Sequence, residues 1–183
     1  MKKLLLITII LFASCESPGL SEVDSETFQK NVQTIKDTWI AGYMEGDFDK
    51  VVSLMADSIQ WNGPNGSTVG IDVLKESIQF WIDNFEDVSF EEGSGLPGTN
   101  TGYWGGNTYP TAEAMSGPNN VRMYGMWSMK NSNTGKTAKV KSYAVLNFNE
   151  DGKVIEATEY GSYASVLETF ESVSYTHLTL PTI

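Results

Sequence analysis

The sequence predicts an α+β domain, with helices first and strands after. Apolar residues recur at helical spacing from about residue 27 to residue 84. From Val88 onward, two-residue alternation punctuated by Gly, Asn and Pro takes over. That order argues for three helices packed on a strongly bent antiparallel sheet. A length of 183 residues suffices for one domain with a sizeable core, and no internal repeat is visible.

The first helix is expected from about Thr27 to Glu45, with Phe28, Val32, Ile35, Trp39 and Tyr43 on one stripe. Asp24 or Ser25 can cap its start, and Gly46 ends it. Asp47 caps a second, short helix, whose Phe48, Val51, Leu54 and Met55 face inward. Ala56, Asp57 and Ser58 close that helix and lead into a short strand, Ile59 to Asn62, followed by a turn at Gly63-Pro64-Asn65-Gly66. A third helix, about Ile71 to Asn84, carries Leu74, Ile78 and Trp81. Leu96 to Asn120 is rich in Gly, Pro, Asn and Thr and is long for an idle connection, so a lid or an ordered loop containing Trp104 and Tyr109 is expected. Strands follow at Val121–Met129, Thr137–Phe148 and Lys153–Tyr163, the last two joined by a tight turn at Asp151-Gly152. A short helix at Ala164–Glu171 closes the domain.

The stretch from Trp39 to Gly70, with its helix, Gly-Asp break, short helix, short strand and turn, resembles the opening of the nuclear transport factor 2-like superfamily, the SnoaL-like cones. The resemblance runs from about Ser25 to Glu171 and implies a cone-shaped fold. It does not imply one reaction, because the same cone hosts isomerases, dehydratases, hydrolases and non-catalytic binders. Carried over position by position, the ketosteroid-isomerase residues of that superfamily fall on Trp39, Gly63 and Ala144. None of these is a carboxylate base, and none supplies the hydroxyl or carboxyl proton which that route places on the enolate oxygen.

Other chemistries are narrowed by composition. The only histidine is His177 and the only cysteine is Cys15, both at the ends of the chain. A His-dependent dehydratase, a Ser or Cys nucleophile and a thiolate or imidazole zinc site are therefore not expected, and neither is a cofactor. The epoxide hydrolases of this fold use an Asp-Arg-Asp relay. Arg122 is the only arginine and would need Asp57, Glu156 or Glu159 beside it, with Tyr124 as a further polar group. The alternative is that Arg122 begins an edge strand and pairs with a surface acid.

Aromatic residues give the stronger signal. Trp39, Tyr43, Trp61, Trp81 and Trp127 are expected to point between helices and sheet, with Asn62, Ser142 and Ala144 nearby. Such a cone suits an apolar or aromatic small molecule, unless the rings simply fill the core. The leading expectation is thus a non-catalytic small-molecule binder that needs an open, ring-lined cavity. A second is a cofactor-free enzyme of hydrolase, cyclase or isomerase type, which needs a buried carboxylate with a raised pKa. A third is a dimeric interaction module. The two long strands are apolar on both faces (Tyr124, Met126, Tyr143 and Val145 oppose Met123, Trp127, Ala144 and Leu146), so a second copy covering the sheet is expected.

The ends carry an address. Lys2-Lys3 and the apolar run Leu4–Ala13 read as an export signal, too short to span a bilayer at roughly 20 residues. Leu11-Phe12-Ala13-Ser14-Cys15 resembles a bacterial lipobox, which implies lipidation at Cys15, a polar tether over residues 16–24 and attachment to the cell envelope by acyl chains alone. A plain signal peptide cut nearby is the other reading. Residues 173–183 resemble translated sequencing-adapter sequence, the alternative being a natural terminal strand. The formal charge of −11 argues against nucleic acid or anionic lipid as a partner.

Overall fold

A computed structural model describes residues 22–93, 102–105 and 117–171. Cys15, Tyr109 and His177 lie outside the described residues, as do the export signal and the 173–183 tail. Among the described residues, no helix is long and apolar enough to cross a membrane.

The first helix is longer than expected and contains a wide turn. It comprises α1 (Glu22–Ile35), a π-helical segment (Lys36–Ile40) and α2 (Ala41–Glu45). It starts before both anticipated caps, so Asp24 and Ser25 sit within its first turn. The extra residue per turn of the π segment keeps Val32 and Ile35 buried before it while Trp39 and Ile40 are buried within it. Gly46 ends α2 in the left-handed conformation, at φ 68°. The Asp47 side chain then accepts a hydrogen bond from the Lys50 N–H at 2.9 Å and starts α3 (Phe48–Val52).

One boundary differs from expectation. Leu54 to Ser58 does not extend the short helix; β1 runs over Met55–Asn62. The reason is long-range pairing, because β1 lies parallel to β7 (Val154–Gly161), from Met55 opposite Val154 to Asn62 opposite Thr158, with an irregularity between Met55 and Gln60. The sheet is therefore mixed. After β2 (Thr68–Val69) come α4 (Ile71–Asn84), β3 (Phe85–Glu92), β4 (Tyr103–Gly105), β5 (Asn120–Asn131) and β6 (Thr137–Phe148). The order is β2-β1-β7-β6-β5-β3, with β4 also on β5. Part of the expected long loop is thus a strand, in which Trp104 takes the register position opposite Arg122. The chain closes with α5 (Ala164–Leu167) and a 3-10 turn (Glu168–Phe170).

The helices cover one face of the sheet. On that face Val121, Met123, Val140, Ala144, Leu146, Val154 and Ala157 are fully buried. The strict alternation in β5 and β6 sends Tyr124, Met126, Tyr143 and Val145 to the other face. Gly42 is where α2 meets α3: a Cβ there would lie 2.5 Å from Val51 Cγ2 and 2.8 Å from the Val51 backbone nitrogen. Since a backbone atom cannot step aside alone, Gly42→Ala is expected to destabilise the domain by about 1–3 kcal/mol through overpacking. Urea denaturation checks this; an unchanged midpoint would mean that the two helices can separate freely.

Candidate functional site

Between α2, α4 and the covered face of the sheet lies a cavity of about 100 Å³. At roughly 10–15 Å³ per water-sized position, it has space on the order of ten non-hydrogen atoms. Its wall includes Trp39, Tyr43, Trp61, Trp81, Trp127 and Tyr163. The rings brace one another: Trp39 meets Trp61 edge-on at 5.1 Å, Tyr43 meets Trp127 edge-on at 5.8 Å, and Trp81 lies 5.6 Å from Tyr163. Packing of this kind fixes the walls and leaves the space between them.

Among the described residues, one charged side chain lines the cavity, Glu159. It occupies an inward register position of β7, opposite Ala144 on β6. Ala144 is fully buried and small, so the neighbouring strand does not crowd the carboxylate. Glu159 Oε1 accepts hydrogen bonds from the Tyr163 hydroxyl and, at 3.5 Å, from Ser142 Oγ. The Trp61 indole also donates to the carboxylate. Protein surrounds Glu159 on these sides, and its intermediate exposure is that of a group facing a cavity.

Burial pushes the Glu159 carboxyl above the usual carboxylate range, against the three donors, which pull it down. Loss of hydration is the larger effect, because the donors recover only part of the solvation that burial removes. Burial, and then the charge of Glu159, push the Tyr43 and Tyr163 hydroxyls upward. Both tyrosines therefore stay protonated donors at any working pH. Tyr43 also accepts a bond from the Trp39 indole four residues earlier on the same helix.

Not every anticipated site residue converges here. Ser142 reaches the site through Glu159, while Ala144 is buried beside it. Asn62 does not join the cavity, because it follows Trp61 in a strand and so faces the opposite side. There its amide donates to Thr158 Oγ1 at 3.3 Å and its carbonyl accepts from Thr68 Oγ1 at 2.6 Å. Arg122 and Tyr124 are likewise on the far face, opposite Val145 and Tyr143, so the sheet separates Arg122 from Glu159 and no Asp-Arg-Asp relay can form with it. Gly63 lies in the turn after β1, its N–H bonded to the Ser67 carbonyl at 2.8 Å. Among the described residues, no group of three or more His, Cys, Asp or Glu side chains could hold a metal ion.

The folded chain is similar to solved structures at low sequence identity. A candidate hydroxylase, AclR from Streptomyces galilaeus, matches with a TM-score of 0.58 at 14% identity, over 77% of this chain and 95% of that one. A candidate polyketide cyclase from Xanthomonas campestris pv. campestris matches with a TM-score of 0.57 at 12% identity, over 78% and 98%. An NTF2-like protein of unknown function from Exiguobacterium sp. 255-15 matches with a TM-score of 0.53 at 18% identity, over 72% and 98%. The chain has the NTF2-like α+β cone fold. No protein-family model and no curated protein sequence matches it.

The raised Glu159 carboxyl has a consequence for stability. An acid whose pKa rises on folding binds its proton more tightly in the folded state, so its ionisation opposes folding. That penalty is complete above the folded pKa and vanishes as pH falls below the unfolded value, about 4.3. Glu159→Gln, which mimics the protonated acid, is expected to be more stable than the wild type at pH 7.5, and the gap should close near pH 4. Paired urea titrations at the two pH values check the sign; a variant less stable at pH 7.5 would contradict it.

Proposed function

We propose that this domain is a small-molecule-binding cone that takes a compact apolar or aromatic ligand, with Glu159 as the carboxylate that contacts it. The observation that carries this reading is the combination of an open, ring-lined space with a single inward carboxylate. A filled core would bury its polar groups against each other; here the carboxylate borders empty volume. Four tryptophans report on the site, so their fluorescence should change saturably when compact aromatic compounds, neutral and cationic, are added. Ser77 is exposed on α4 at the edge of the cavity. Ser77→Phe should narrow the opening, weaken the response about tenfold or more by excluding the ligand, and leave the melting temperature nearly unchanged. The absence of any saturable response across such a panel at millimolar concentration would contradict the reading.

The raised carboxyl favours a second reading, cofactor-free acid–base catalysis. A carboxyl whose pKa is shifted toward neutrality inside an apolar site serves as a general acid or base. Glu159 would take or give the proton and Tyr43 or Tyr163 would donate to a developing oxyanion. Removing such a group costs about 10²–10⁴ in rate. Deuterium exchange at the α-carbon of a compact aryl ketone, followed by NMR, tests it: acceleration by the wild type, lost in Glu159→Gln, supports catalysis, and no acceleration leaves the cone a binder.

The assembly and address belong to the same proposal. The exposed face of the sheet carries Tyr160, 56% exposed and stacked on Tyr143 at 5.6 Å, next to Val145 and Tyr124. That surface supports a homodimer through the sheet. Tyr160→Lys should shift the protein to monomer in light scattering at micromolar concentration; a wild-type monomer would exclude the dimer. Attachment to the cell envelope through lipidated Cys15 rests on the lipobox, and its test is Cys15→Ala, which should release the protein from the membrane fraction.

A further inference from the structure

We propose that the ligand of the cone is a compact organic ammonium ion, seated between the Glu159 carboxylate and the surrounding ring faces. The inference rests on the small-molecule reading above and narrows it to one charge and one size.

The sign of the charge follows from what borders the cavity. Among the described residues, Glu159 is the only charged one that lines it, and no Lys or Arg does. The groups that bond the carboxylate, Tyr163, Ser142 and Trp61, are neutral donors, so they orient it and leave its charge uncompensated. The titratable groups facing it, Tyr43 from α2 and Tyr163 from the segment after β7, stay protonated and supply no positive charge. A ligand carboxylate or phosphate would place a second negative charge beside the first. A neutral ligand would leave the carboxylate as it is. An ammonium ion compensates it directly.

The walls point the same way. Ring faces carry the negative side of the aromatic quadrupole and attract cations, the more so where water is excluded. Trp39, Trp61, Trp81 and Trp127 line the space together with one carboxylate. A hard metal ion is poorly suited, because it needs about six or more oxygen ligands, and beside the tryptophan rings stand one carboxylate and the Tyr43 and Tyr163 hydroxyls. The volume of about 100 Å³ limits the ion to one ring or a small set of alkyl groups. The net charge of −11 raises the concentration of cations near the protein.

The test compares benzylammonium with benzyl alcohol, which match in size and differ in charge. Both are titrated by calorimetry at pH 7.5 in 150 mM salt, into the wild type and Glu159→Gln. Benzylammonium is expected to bind the wild type about tenfold or more tightly than the alcohol, and Glu159→Gln should remove that preference while leaving the alcohol within about threefold. Because the carboxylate form binds, benzylammonium affinity should rise with pH through the folded pKa of Glu159 and then level off. Equal affinities in the wild type, or a preference for the alcohol, would overturn the ammonium and leave the small-molecule cone standing. Failure of both compounds at millimolar concentration would overturn both. If Glu159→Gln does not fold, Ser77→Phe decides: lost benzylammonium binding places it in the cone, and unchanged binding places it on the acidic surface and overturns the proposal.

Discussion

The hydrogen bonds that hold the Glu159 carboxylate depend on, and report, the whole arrangement of the fold. Their donors come from three places: Trp61 on β1, Ser142 on β6 and Tyr163 just beyond β7. They converge only because β7 lies between β1 and β6, parallel to one and antiparallel to the other. Tyr163 then folds back by four residues to reach the acid on its own strand. The parallel contact matters most, since it places Trp61 beside Ala157 and so within reach of Glu159, two residues further along.

The aromatic residues serve two roles that need not compete. Ring contacts such as Trp39 edge-on to Trp61 and Phe90 tilted against Trp127 give these rings core-like packing. The tryptophans among them also border the cavity. Trp39, Trp61 and Trp127 are therefore buried, at 5%, 7% and 7% exposure, while still lining open space. Burial alone does not distinguish a filling ring from a wall; the inward carboxylate does.

Local rules made much of the chain legible. Gly46 and Asp47 announced a helix break because only a left-handed residue and a side-chain acceptor close one helix and open the next so tightly. The span of β6 follows from alternation between two turns. What local rules missed was set by distant partners. Met55–Ser58 has a helical neighbour in sequence and a strand neighbour in space, and the strand prevailed. β4 exists because β5 offers it an edge. Asn62 was misplaced for a plainer reason: Trp61 and its neighbour cannot face the same side of a strand. Glu159 carried a signal that went unused as a site. The β6–β7 pairing, shifted by an irregularity between Asn147 and Phe148, sets it opposite Ala144, a position that the sequence places facing the cone.

The account stands on the environment of one carboxyl group, and that group can be observed directly. Carbon-13 NMR of the Glu159 side chain, assigned by comparison with Glu159→Gln, would follow its titration in the folded protein. The account predicts a pKa clearly above the ordinary glutamate value of about 4.3, falling when an organic ammonium occupies the cone. A Glu159 that titrates at or below the ordinary value would contradict it, because the carboxylate would then be solvated or paired with a cation rather than buried and uncompensated beside the cavity.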